Sequence, residues 1–221
     1  MYTPPPVARE FRLCISDDEY ASFQQLIQLS RLGPQTWDNS FADGRYGISH
    51  EWLTEAKAYW LGGFDWKSQE ARINLFPNYK MNIEDEKGDI EFHFAALWSR
   101  NDTDPAVVLL HGWPGSFLEF LPAMQLLRTR YGDDLPFHVI APSLPGYTLS
   151  SGPPTNQAWT AADGARIVNT AIKQLGFDRY IVQGGDVGSW IASLLATTYD
   201  SVVGIHCQQH LSVSLPAHSE V

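Results

Sequence analysis

Hydrophobic positions change rhythm twice along this chain of 221 residues. The Pro-rich start is expected to be extended. From Ser16 onward the apolar residues recur at helical spacing. Ser16-Asp-Asp-Glu19 carries the signature of a reciprocal N-terminal cap, and Phe23, Leu26, Ile27 and Leu29 follow on one face. Gly33-Pro34 ends that helix. Ser49 is placed to cap a second, with Trp52, Leu53, Ala56 and Trp60, stopped by Gly62-Gly63. A third, shorter helix is expected from Trp66 to Leu75. Rings at this spacing are expected to be core.

After Pro77 the period shortens. Asn82 to Phe94 alternates on either side of Lys87-Gly88, which predicts a hairpin. From Ala106 short apolar runs alternate with helical stretches. Strands are predicted at 106–110, 137–141, 180–183 and 201–206, with helices at 117–127, 161–175 and 189–198. The run Ala106-Val-Val-Leu-Leu110 suits a strand buried on both faces. Such alternation predicts an α/β fold, with a mostly parallel sheet and helices on both faces. The organisation expected is a helical region, 1–80, followed by an α/β region, 81–221. No internal repeat or low-complexity segment interrupts it.

Composition narrows the classes. Apolar residues make up 44% and charged residues 18%, a globular balance. Twenty-five acidic against 15 basic residues give a net charge of −10, which disfavours nucleic acid and anionic membranes as partners. No apolar run approaches the roughly 20 residues that span a bilayer. The start carries no basic segment leading into an apolar one, so no signal peptide is expected. Cys14 and Cys207 are the only cysteines, read as reduced thiols in a reducing compartment.

The strongest chemical signal is Gly184-Gly185-Asp186-Val187-Gly188, between a predicted strand and a predicted helix. Hydrolases present a nucleophile at such a turn, with small residues two positions away on each side because the backbone is crowded. Here the nucleophile position holds Asp. A carboxylate is ionised at neutral pH and needs no activating base, and its natural electrophile is a saturated carbon bearing a leaving group. The resulting ester must then be cleaved by water with its carbonyl oxygen stabilised. The bland alternative for Asp186 is an ordinary helix N-cap. His111-Gly112-Trp113-Pro114-Gly115-Ser116 follows directly on the strand ending at Leu110. A loop at that place supplies one backbone N–H of an oxyanion hole, and the residue after the nucleophile supplies the other. By position these are Trp113 and Val187. His111, beside a tight Gly-Pro turn, is expected to shape the loop and not to act as the base. Pro142-Ser-Leu-Pro-Gly-Tyr147 makes a rigid loop at a strand's carboxyl end, and Tyr147 either faces the site or packs on the surface.

With these motifs in order, the sequence resembles the epoxide hydrolases of the α/β-hydrolase fold, in their microsomal-type branch, also fungal. The segments that carry the likeness are Leu29–Asp38, Arg72–Lys80, His111–Ser116, Pro142–Tyr147 and Gly184–Ser189. The resemblance implies that Asp186 opens the epoxide ring, that the amides of Trp113 and Val187 form the oxyanion hole, and that the product is a vicinal diol. His111, Gly112, Pro114, Gly184, Gly185 and Gly188 would shape the two loops. It implies no cofactor, no metal, a small-molecule epoxide as substrate, and roles such as detoxification. Without an N-terminal anchor a cytoplasmic enzyme is expected; oligomeric state is not legible.

The resemblance also implies parts that this sequence does not show: a helical cap with tyrosine donors, and late strands with an acid and the histidine base. His206, His210 and His218 do not stand where that base belongs. The expectation is a chain truncated before the cap, with little turnover alone and the last strand left as an apolar edge. A catalytically incompetent fragment is therefore the alternative reading. A haloalkane dehalogenase-like hydrolase is a further one, opposed by the helical N-terminal region. Thr148-Leu149 replaces the Gly-Phe expected after the Pro-Gly-Tyr loop.

Overall fold

The computed structural model describes residues 2–208. The tail, with His210 and His218, lies outside the described residues. Two compact units are present among the described residues: Leu13–Leu75, and the flanking residues on both sides of it, 2–12 with 76–208.

The inserted unit is helical. Helix α1 (Asp17–Leu29) opens on the reciprocal cap expected of Ser16 and Glu19. Helix α2 (His50–Gly62) is capped by Ser49, and α3 (Trp66–Ile73) by Asp65. The last is shorter than the sequence suggests, because Asn74 leaves the helix to clip the chain ahead of α1. Its Oδ1 accepts the Leu13 N–H at 2.9 Å and its Nδ2 donates to the Leu13 carbonyl at 2.8 Å. Glu70 accepts the Ile15 N–H at 2.6 Å in the same way. The core expectation for the tryptophans fails. Trp37 is 66% exposed, Trp52 55% and Trp60 39%, and neither α1 nor α2 buries a residue. Trp60 meets neighbouring rings at the surface, Phe64 tilted at 4.3 Å and Phe23 edge-on at 5.5 Å between centroids. Helical spacing records which residues share a face, not whether anything covers it.

The other unit is built on one seven-stranded sheet. Its strands are β1 (Arg9–Phe11), β2 (Asn78–Ile83), β3 (Ile90–Leu97), β4 (Ala106–Leu110), β5 (His138–Pro142), β6 (Tyr180–Gly184) and β7 (Val202–Cys207), in the order β1-β2-β3-β5-β4-β6-β7. The α/β class holds, but the sheet is mixed. Pairs β5-β4, β4-β6 and β6-β7 are parallel, whereas β1-β2, β2-β3 and β3-β5 are antiparallel. The hairpin accounts for the difference. It joins Ile83 to Ile90 and carries three antiparallel ladders into the sheet. Strand β3 is buried along nearly its whole length, so its apparent alternation does not mark a wet face.

Helices α5 (Ala161–Gln174) and α6 (Val187–Thr198) pack together, and the sheet supplies Phe92, Phe94, Tyr180 and Ile140 as fully buried side chains. Each such ring or branched chain contributes about 2–3 kcal/mol when removed from water. The stretch from Phe117 is not one helix. Phe117–Phe120 is a short 3-10 turn, capped by Ser116, and α4 (Leu121–Tyr131) starts after it with Pro122 in its first turn. Helix α6 begins two residues earlier than its apolar period indicates, immediately after Asp186. Strands β1 and β7 are the edges of the sheet among the described residues, and on β7 Val203 and Ile205 are exposed. No described helix is long and apolar enough to cross a membrane.

Candidate active site

Asp186 sits between β6 and α6 at φ 52°, ψ −123°. Such a left-handed conformation costs an ordinary residue about 1–3 kcal/mol and persists only where the surroundings impose it. Two glycines let the surroundings do so. A methyl group on Gly184 would strike the Gly188 carbonyl, and one on Gly188 would strike the Leu110 carbonyl at the end of β4. The turn is thus pressed against the strand that carries the neighbouring loop. Gly185 is looser, since a Cβ there would meet the Gln208 side chain at 3.1 Å.

The carboxylate of Asp186 does not cap its own helix through the side chain. It is exposed and accepts the Trp113 N–H at 2.9 Å. That bond, first, and the Val187 amide, second, hold its carboxyl below the usual carboxylate range. The ordinary N-cap reading of Asp186 therefore does not describe its surroundings. Of the two amides expected at an oxyanion hole, that of Trp113 is bonded to this carboxylate and that of Val187 contributes to lowering its pKa.

The Trp113 loop is fixed from below. His111 is fully buried; its Nδ1 lies 3.0 Å from the Gly112 carbonyl, and its Nε2 is 3.1 Å from the Leu144 amide, which donates to it. Nδ1 must then carry the proton. Burial pushes its pKa down, which keeps the ring neutral and both nitrogens engaged. Tyr147 packs edge-on against this ring at 4.9 Å between centroids. The Trp113–Pro114 peptide is cis. Gly112 admits the Asp186 turn: a Cβ there would lie 2.7 Å from the Cβ of Asp186.

These parts surround a cavity of about 400 Å³, lined among others by Trp113, Pro114, Glu119, Gly185, Asp186 and Gln208. Tyr147 and His111 are not among its lining residues. Two lining side chains escape the sequence reading. Ser116-Phe-Leu-Glu119 has the spacing of another reciprocal cap, and that reading hides Glu119. In the structure Ser116 caps alone, and Glu119 turns to the cavity. Burial, and then the negative charge of Asp186, raise its pKa. Gln208 follows the carboxyl end of β7, where ligands of parallel sheets gather. Among the described residues no three His, Cys, Asp or Glu side chains are grouped as a metal ion requires.

A carboxylate on a strained strand–helix turn, bonded to an amide from the loop after the neighbouring strand β4, is the arrangement in which α/β-hydrolase sheets present a nucleophile. Comparison with known proteins sharpens this. The family model described as epoxide hydrolase N terminus matches residues 8–120, and that of the alpha/beta hydrolase fold matches 105–207. The chain is 37% identical over 200 residues to a putative epoxide hydrolase of Dothistroma septosporum, covering 89% of this chain and 48% of that protein. Similarity to epoxide hydrolase 1 of Sus scrofa is 33% over 207 residues, covering 90% and 44%. The solved structure of the Aspergillus niger epoxide hydrolase is 41% identical and superposes with a TM-score of 0.85, over 99% of this chain and 57% of that one. The chain belongs to the epoxide hydrolase family. It spans about half the length of the relatives it matches.

Proposed function

We propose that Asp186 is the nucleophile of an epoxide hydrolase. One carboxylate oxygen attacks a ring carbon, the ring C–O bond breaks, and an ester of Asp186 carries the new hydroxyl once the released oxygen takes up a proton. Water then cleaves the ester to a vicinal diol. During that step the aspartyl carbonyl oxygen gains charge, and the amides of Trp113 and Val187 are the donors that stabilise it. The observation that carries this reading is the Trp113 N–H on the exposed Asp186 carboxylate at 2.9 Å, in a turn with positive φ. No proton has to leave Asp186 first, so attack persists to acid pH and is lost only as pH falls through its lowered pKa. The two free thiols, Cys14 and Cys207, support work in a reducing compartment such as the cytoplasm.

Ring opening is an addition, so the ester weighs one whole epoxide more than the protein. Purified chain treated with propylene oxide and quenched in acid is expected to gain that mass, mapped to the peptide holding Asp186. Asp186→Asn should lose it, and His111→Gln should keep it. Adducts elsewhere, or equal adducts on Asp186→Asn, would overturn the assignment.

A further inference from the structure

His93 stands in the middle of β3 and is fully buried, yet its two ring nitrogens and both its backbone groups are engaged. Its ring also meets Phe117 edge-on at 4.8 Å between centroids, in the 3-10 turn that follows the Trp113 loop. The chemistry proposed for Asp186 makes no use of this imidazole. We propose that His93 is a positioning residue for the Asp186 site. It fixes the loop after β5 and, through that loop, the direction in which Trp113 presents its N–H, which on the reading of Asp186 as nucleophile aims the attacking carboxylate.

One amide settles the order of protons along the row. Asn78 donates from Nδ2 to the Phe76 carbonyl at 2.8 Å, so its Oδ1 faces His93 Nε2, 3.1 Å away, and accepts. Nε2 therefore carries the ring proton, and Nδ1 accepts from the Ser143 hydroxyl at 2.9 Å. The Ser143 oxygen is left to accept from the Thr148 hydroxyl at 2.8 Å. Burial, and then the charge of Lys80, lower the His93 pKa to about 3, which keeps the ring neutral and the order intact. The backbone of His93 adds two ties. Its carbonyl accepts the Ser143 N–H and its N–H donates to Ser150 Oγ, each at 2.9 Å. The loop is pinned near both ends to one residue. Thr148 lies between these ties at φ 40°, a conformation that β-branched residues seldom take.

From this loop the connection to Asp186 is short. The residue after Ser143 is Leu144, whose N–H donates to His111 Nε2 at 3.1 Å, and Tyr147 packs on the His111 ring. His111 Nδ1 donates to the Gly112 carbonyl at 3.0 Å, and the next residue is Trp113, whose N–H bonds to Asp186. Two neutral imidazoles of opposite tautomer thus stand in series behind that amide. A side chain that only filled the space of His93 would leave Ser143 undirected. Misplacing a reacting group by about 1 Å costs about a hundredfold in rate, so loosening this post reaches the chemistry.

The test, on the whole chain, separates the two ring nitrogens. In His93→Asn the side-chain oxygen takes the place of Nδ1 and still accepts from Ser143. In His93→Gln the amide nitrogen takes the place of Nε2, and only the bond to Asn78 survives. Packing alone favours Gln, the larger of the two. Single-turnover labelling of Asp186 by propylene oxide is expected to slow about tenfold in His93→Gln and in Ser143→Ala, and to stay within about twofold of the parent in His93→Asn. In proton–nitrogen NMR the Trp113 amide proton should move upfield in the first two variants and hold its place in the third. A larger loss in His93→Asn than in His93→Gln would make His93 a space filler and overturn its positioning role. Equal labelling in parent and variants, with the Trp113 amide unmoved, would overturn it too and leave Asp186 as nucleophile. The expected Trp113 shifts without label on Asp186 in any of these proteins would uphold the role of His93 and remove the nucleophile. Should a His93 variant not fold, nitrogen NMR of the parent rings decides. Protons on Nε2 of His93 and on Nδ1 of His111 are expected, and a proton on Nδ1 of His93 would overturn the proposal.

Discussion

Helices α5 and α6 pack together, and each has an aspartate at its N-terminal end, Asp163 at the third position of α5 and Asp186 just ahead of α6, yet the two carboxylates lead opposite lives. Asp163 is buried in the first turn of α5. It accepts the Thr160 N–H and hydroxyl, each at 2.8 Å, and pairs with Lys87 and Arg166, each at 2.9 Å. Arg166 in turn grips Asp85 in the turn between β2 and β3. Burial works against the charge of Asp163, but these partners outweigh it and hold the pKa well below the usual range. Asp186 also has a lowered pKa, but through backbone amides, and it stays exposed, with no ion pair among the described residues. A carboxylate saturated by cations and hydroxyls is a structural tie. One held by backbone amides and left exposed suits the nucleophile proposed for Asp186.

The glycines beside these residues give the largest expected effect. Gly188→Ala forces a methyl group into the carbonyl of Leu110. Neither atom belongs to a flexible side chain, so the nucleophile turn or β4 must move. The expected loss is about 3 kcal/mol of unfolding free energy, read by denaturant titration, together with the labelling of Asp186. Unchanged stability would mean that the turn is less tightly pressed on β4 than the contact implies.

Exchanging the two aspartates in turn separates tie from tool. Asp163→Asn leaves Lys87 and Arg166 without their shared partner and is expected to cost about 2–3 kcal/mol at neutral pH. Asp186→Asn is expected to stay within about 0.5 kcal/mol of the parent while losing the label. The pH dependence has the matching sign. Asp163 has a lowered folded pKa, so its contribution is full above about pH 4, the unfolded carboxylate value, and disappears as pH falls below it. Asp163→Asn should therefore flatten the acid limb of the stability profile below that pH, and Asp186→Asn, which removes an exposed carboxyl that is also lowered, should flatten it less. Burial lowers the His93 pKa to about 3, so its contribution is lost from about pH 6.5 downward in all these proteins alike.

Much of this contrast is legible in the sequence, and the reasons differ by residue. The turn at Asp186 is legible because backbone crowding leaves a mark: glycines two positions away, after an apolar run and before a helix. The order of strands and helices from Ala106 is legible for the same local reason. Glu119 is not, because the spacing Ser116-x-x-Glu119 is shared by a cap and by a cavity wall, and only the turn of Phe117–Phe120 decides between them. The exposure of Trp37 and Trp52 is not legible either, since helical period says nothing about cover. Of the antiparallel ladders, the β2-β3 hairpin is legible from Lys87-Gly88, whereas the β3-β5 pairing escapes because partners such as Ala95 and Ala141 are far apart in the chain. Tyr147 was open between two places, and the edge contact with His111 is a matter of tertiary packing.

The smallest effect sharpens the comparison at the point where the helices touch. Gly164 on α5 faces α6, as Gly188 on α6 faces β4. A Cβ on Gly164 would lie 3.6 Å from Cδ1 of Ile191, an ordinary contact with the end of a flexible chain. Nothing there requires glycine, and alanine is the better helix former by about 0.8–1 kcal/mol. Gly164→Ala is thus expected to be neutral or to stabilise by up to about 1 kcal/mol, with the Asp186 label retained. A loss comparable to that of Gly188→Ala would show that α5 and α6 cannot part even by a methyl group. The rigidity assigned to the nucleophile turn would then belong to the whole helix pair.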